Sequence, residues 1–277
     1  MTATTDKLNL GLLVRVSFTK FNPIKSNSTM KTEYAAKHGS DASMHTSTTR
    51  VVHKKFIDPL QRIETLARQL CEKLTLPWED RGNRLLPADN VVKFQTELAT
   101  LRRKWDNAVE EFVVEWDKIV LDARTRLNGD FRESNYPSAN YVRTVFKMSA
   151  IFMPMPDNSR LVDSIRDEME DVFTDRIKAA GNELRNRLIT KLEHLASKCK
   201  EVGGEGTIRF YESNVTNVLE LCELIPDMLV GDDPALLTAI ADAKSMLDNV
   251  DADSIKSSEI IADDIRTKAA AIASSLI

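Results

Sequence analysis

Four kinds of residue in this 277-residue chain could carry chemistry, and their spacing argues against most of it. His38, His45 and His53 stand at intervals of seven and eight. A helical zinc signature needs two imidazoles four residues apart with a glutamate beside the first, so this is not a recognised metal pattern. Glu193 and His194 read as a surface or boundary pair beside the apolar stripe of a long helix. The acids Asp163, Asp167, Glu168, Glu170, Asp171 and Asp175 alternate with Arg160, Arg166, Arg176 and Lys178, the pattern of a helix face laced with ion pairs rather than a carboxylate metal site. The glycine cluster KEVGGEG at 200–206 follows a helical pattern and lacks GxxxxGK[ST], so it reads as a helix cap and turn. No serine or cysteine sits in a nucleophile-elbow context. The sequence therefore nominates no catalytic residue, no cofactor and no metal ligand.

Two sets of residues remain as candidate contacts. Residues 1–60 hold nine basic against four acidic residues, while residues 232–277 hold four basic against nine acidic. Lys20, Lys25, Lys31, Lys37, Arg50, Lys54 and Lys55 are the candidates for contacting a nucleic acid or a partner subunit. They flank a stretch rich in Ser, Thr and Asn, of which 33–38 suits two helical turns. Residues 40–49 read as mobile, either a loop or an arm that orders on binding. Its hydroxyls and lysines suit phosphate, but interleaved aromatics that stack bases are lacking. The second set is Ile151, Phe152, Met153 and Met155 in the run IFMPMP. Two prolines exclude a regular helix or a central strand there, leaving a hydrophobic crossing or an exposed interface loop.

The elements that must position these residues are mostly helices. Residues 161–199 place Leu161, Ile165, Met169, Val172, Phe173, Ile177, Ala180, Leu184, Leu188, Leu192, Leu195 and Cys199 at steps of three and four, with charges between, over roughly 58 Å of helix. Residues 87–126 repeat the pattern through Phe94, Leu98, Leu101, Trp105, Ala108, Phe112, Trp116 and Ile119, so the two are expected to pair antiparallel. Alternation over 12–18 predicts a strand, and residues 207–211 offer it a partner. Helices are expected over 51–74 and 139–149, and again over 213–229, 234–249 and 257–275. The last two, with modest apolar faces, are candidates for docking on another subunit.

The expected fold is mainly α: an elongated helical hairpin or bundle with two long helices and a small two-stranded β element. Its parts are a strand with a basic flexible arm at 1–60, a helical body at 61–231 and an acidic helical tail at 232–277. Charged residues make up 29% and aromatics 6%, and no apolar run reaches membrane-spanning length, which points to a cytoplasmic protein without a membrane partner. Cys71, Cys199 and Cys222 read as reduced, space-filling thiols.

The N-terminal strand, the basic loop and the runs VHKKFIDPLQRIETLARQLCEKLTLPW and VVKFQTELATLRRKWDNAVEEFVVEWDKIV together resemble a phage-enriched family catalogued as domain of unknown function 3150, over roughly residues 8–200. That resemblance implies a bacteriophage accessory protein working near ring-forming ATPases of the MoxR type and von Willebrand factor A proteins, and supplies no active residues. The leading expectation is a non-enzymatic, self-assembling structural or adaptor protein, a homo-oligomer with coiled-coil character. The alternative is a DNA-binding accessory protein using the basic arm.

Overall fold

The structure, a computed structural model, describes residues 11–79, 82–155, 163–202 and 210–277. It is mainly helical with a small antiparallel sheet. Strands are β1 (Gly11–Thr19), β2 (Ile24–Ser26), β3 (Thr48–Arg50), β4 (Leu76–Pro77), β5 (Arg84–Pro87) and β6 (Lys147–Pro154). The helices of the first half are α1 (Ser28–His38), α2 (Lys54–Leu74), α3 (Val91–Val114), α4 (Trp116–Leu127) and α5 (Ala139–Val145). Those of the second half are α6 (Asp163–Lys200), α7 (Glu212–Met228), α8 (Pro234–Met246), α9 (Ala252–Ser257) and α10 (Glu259–Ser274). The chain forms two compact units, one from residues 1–15, 74–92 and 152–277, the other from residues 16–73 and 93–151. No described helix is long and apolar enough to cross a membrane.

In the first unit the partner of the long helix α6 is α10, with α7 and β4 packing alongside. The antiparallel hairpin expected between 161–199 and 87–126 is therefore not the arrangement found. Ala180, Leu184, Leu188, Leu192, Leu195 and Cys199 of α6 are buried, as are Ala262, Ile265, Ala269 and Ala273 of α10. The alanines of the tail explain the choice of partner: small side chains let α10 lie close against a stripe of leucines, each covering the other's apolar face. The tail helices thus dock within the chain. Towards the N-terminal end of α6 the stripe is only partly covered, and Val172 is 47% exposed.

Two polar devices fix this packing. Asp233 caps α8 by accepting from the Leu236 amide at 3.1 Å and receives a two-pronged ion pair from Arg185 of α6 at 2.7 and 2.8 Å. Arg187 of α6 donates to the carbonyl of the buried Thr75 at 3.0 Å, while Arg84 of β5 donates to the Thr75 hydroxyl at 2.6 Å. Trp78 is buried edge-on against Phe173 with centroids 5.4 Å apart. Burial pushes the Cys199 and Cys222 thiols up to about 11, which keeps them protonated at neutral pH.

The Asp233 pair makes a pH prediction. The Arg185 guanidinium holds the Asp233 carboxyl below its ordinary value of 3.8, outweighing the opposing effect of burial. A depressed folded-state pKa contributes stability that is present above the unfolded value and lost as pH falls through the folded one. Asp233→Asn keeps a competent cap and removes the charge, so it is expected to cost about 1–2 kcal/mol at pH 7, discounted for the partly exposed Arg185. That difference shrinks below about pH 4. Urea titrations of both proteins across that range check it.

The four-stranded sheet has the order β4-β5-β1-β6. β1 pairs antiparallel with β5 in the register Gly11↔Pro87 to Val14↔Arg84, and its other neighbour is β6. The strand expected at 207–211 falls mostly outside the described residues, and Tyr211 itself is the residue that caps α7. Residues 151–154, expected as a crossing or loop, are the second half of the edge strand β6. An edge tolerates Pro154 because no ladder donor is needed on its open side. The helix expected over 139–149 accordingly stops at Val145. At Gly11, φ is +126° and a Cβ would lie 2.0 Å from the Leu86 carbonyl oxygen. Gly11→Ala is expected to cost about 1–3 kcal/mol in chemical denaturation.

The second unit has an aromatic core. Trp105 meets Phe18 at 5.0 Å and Phe146 at 6.2 Å, while Trp116 meets Phe21 at 5.4 Å and Phe112 at 5.6 Å, centroid to centroid. These pairs are tilted or edge-to-face, as the ring quadrupoles favour. The helical run expected over 87–126 is two helices, because Glu115 takes φ −84° and ψ 3° and offsets α4 from α3. The Trp116 indole donates to the Pro137 carbonyl at 2.8 Å and the Tyr136 hydroxyl to the Val51 carbonyl at 2.7 Å.

Candidate functional site

Residues 24–50, expected to contain a mobile stretch, form an ordered β2–α1–β3 excursion in the second unit. β2 and β3 close its neck in the register Ile24↔Arg50 to Ser26↔Thr48, extended by the Val51 amide donating to the Pro23 carbonyl at 2.8 Å. Asn27 is the hinge pin. Its side-chain oxygen accepts from the Met30 amide at 3.0 Å, its side-chain amide donates to the Thr49 hydroxyl at 2.8 Å, and its backbone amide donates to the Ser47 carbonyl at 2.9 Å. One residue thus caps α1 and ties the two strands of the neck. At the other end Gly39 adopts φ 60°, the left-handed turn that lets the amides of residues 39 and 40 satisfy the Ala36 and Ala35 carbonyls. The chain then turns back through a 3-10 turn at Ala42–Met44 that Asp41 caps.

Composition hid this order. A helix that buries only Ala35 has almost no apolar face, so hydrophobic periodicity could not reveal it. Capping chemistry could have: Asn at 27, Gly at 39 and Asp at 41 are a start, a stop and a second start.

The seven basic candidates separate into two groups. Lys20 is bound to Glu64 at 2.6 Å and Lys55 to Asp122 at 3.1 Å. Glu64 is mostly buried, which alone would raise its pKa, but hydrogen bonds from Lys20 and Arg68 outweigh that and hold it below the usual carboxylate range. These two lysines are committed to the protein. Lys25, Lys31, Lys37, Arg50 and Lys54 make no ion pair with any described residue, though Lys31 is among the groups that lower the pKa of the nearby Asp41 and Lys25 lies over the Phe21 ring, 5.2 Å from its centroid. All five lie on the excursion or just beyond its neck. A cleft of about 180 Å³ beside the neck is lined by Lys25, Ser26, Asn27, Ser28, Thr49 and Arg132 among others, with Asp130 as a carboxylate in its wall.

Three aromatic rings gather on the same excursion. Tyr34 of α1 lies 4.4 Å from the His38 ring and 5.1 Å from the His45 ring, and the Ser40 hydroxyl hydrogen-bonds His45 Nε2 at 2.7 Å. The expected lack of aromatics near the basic residues is therefore corrected by the fold. Tyr34 and His38 are one helical turn apart, and Gly39 returns His45 to them. His53, at the start of α2, instead accepts from the Lys55 amide at 3.2 Å.

The second candidate set lies along β6. Ile151 is 43% exposed, while Phe152, Met153 and Met155 are half-buried. Among the described residues no three His, Cys, Asp or Glu side chains group so as to hold a metal ion. Clefts of about 590 and 580 Å³ in the first unit, beside Cys199 and Arg266 and beside Lys244 and Asp251, mix acidic, basic and apolar walls without a pair of groups set for proton transfer.

Fold and site together define a mainly helical protein that carries a basic, capped β–α–β excursion. Comparison with protein-family models, curated proteins and solved structures finds no match.

Proposed function

We propose that this chain is a non-enzymatic nucleic-acid-binding accessory protein whose contact face is the β2–α1–β3 excursion. The observation that carries the reading is the mismatch between how α1 is held and what it offers. It buries almost nothing, so core packing is not its purpose, and caps and a two-stranded neck hold it instead. Lys25, Lys31, Lys37 and Arg50 on it, and Lys54 just beyond its neck, make no ion pair with a described residue, although Asp41 lies near Lys31 and Asp130 stands in the cleft beside Lys25. Such a cluster attracts phosphates by counterion release, whatever the chain's formal net charge of −4.

A second reading, self-assembly of a helical adaptor, rests on β6. It is an edge strand bearing partly exposed apolar side chains, and an open edge can pair with a second copy. Light scattering of the chain with and without DNA separates the two. Nucleic-acid binding predicts a mass that rises only when DNA is added, and self-assembly predicts a multiple of the 31.2 kDa chain without it.

A further inference from the structure

Resting on the nucleic-acid reading, we infer that the excursion selects single-stranded nucleic acid, with Tyr34 as a stacking platform for an unpaired base. Tyr34 is 52% exposed, large for an aromatic side chain, yet its ring is not loose. His38 lies one turn further along α1 with its ring 4.4 Å away and tilted by 39°, and His45 meets the ring edge-on at 5.1 Å and 71°. His45 is itself held by the Ser40 hydroxyl at 2.7 Å. The three rings form a braced aromatic surface.

Its setting is cationic. Lys31 and Lys37 each lie three residues from Tyr34 on α1, close enough along the helix to flank it, and the two strands of the neck add Lys25, opposite Thr49, and Arg50, opposite Ile24. A stacking ring among fixed positive charges is the arrangement by which single strands are bound without regard to sequence. Duplex DNA can meet the lysines but not the ring, because its bases are stacked on one another and offer no free face to a side chain on a convex helix. Unpaired bases offer that face at every nucleotide. The lysines thus account for binding, and the ring accounts for the choice between strands.

The test is fluorescence anisotropy of the full chain at low salt against a labelled oligothymidylate of about 16 nucleotides and a duplex of the same length. The wild type is expected to favour the oligothymidylate. Tyr34→Ala is expected to weaken that binding about tenfold and leave duplex binding unchanged, while Tyr34→Phe retains the preference. Alanine suits a helix, and circular dichroism verifies that the variant is folded. Equal affinity for the two probes, or an equal loss on both with Tyr34→Ala, overturns the stacking role and leaves the nucleic-acid reading in place. No binding to either probe overturns both.

Discussion

Glutamine in place of Lys25, Lys31, Lys37, Arg50 and Lys54 together is expected to lower affinity for nucleic acid on the order of a thousandfold at about 0.15 M salt, because each lost phosphate contact forfeits the release of a condensed counterion. None of the five is in an ion pair with a described residue, and the Lys25 ammonium over the Phe21 ring at 5.2 Å is the contact whose loss should lower stability slightly. Glutamine also preserves helix propensity at the two positions within α1. The informative control is Lys20→Gln with Lys55→Gln. Those lysines are already bound to Glu64 and Asp122, so their loss should lower stability modestly while affinity changes little. Equal losses of affinity from the two sets would mean that general charge, rather than the excursion, attracts the ligand. Anisotropy titrations and urea melts measure the two effects separately.

The second large effect concerns the first unit. Leu188→Ala is expected to cost about 2–5 kcal/mol in chemical denaturation, because Leu188 is fully buried near the middle of the stripe that α10 covers and its loss leaves a cavity. Val172→Ala, on the same helix at a 47% exposed position, is expected to stay within about 0.5 kcal/mol. The contrast is informative because the sequence makes the two positions equivalent: both belong to one periodic series along 161–199. Comparable costs would mean that the whole stripe is covered, as a full-length hairpin would require.

That equivalence shows what periodicity can and cannot convey. The long helix α6, the helical stretches around it and the β1 strand were legible because apolar residues recur at helical or alternating spacing. Pairing was not. The stripe of α6 accepts any complementary face, and the three-four repeat from Phe94 to Ile119 supplies one of matching length. Yet small residues make α10 the closer fit. Hydrophobic spacing conveys which face is apolar and not how closely two faces fit.

Strand partners failed for a related reason. Leu85 and Leu86 of β5 are fully buried, but four residues between turns carry too short a pattern to stand out. The prolines of the IFMPMP run exclude a central strand and not an edge. The candidate site was half legible. Its basic residues were visible in composition. Their division into paired and unpaired sets depends on Glu64 and Asp122, which are 44 and 67 residues away along the chain. The Tyr34 cluster needed the left-handed turn at Gly39 to bring His45 back.

Whether the ordered basic excursion binds nucleic acid through phosphate is tested most directly by the salt dependence of affinity for an oligothymidylate. Five phosphate contacts on a single strand predict that the logarithm of the association constant falls with the logarithm of salt concentration at a slope of about −3.5, and that the five-glutamine variant flattens it towards zero. A wild-type slope near zero, or a slope unchanged in that variant, would contradict phosphate binding by the excursion.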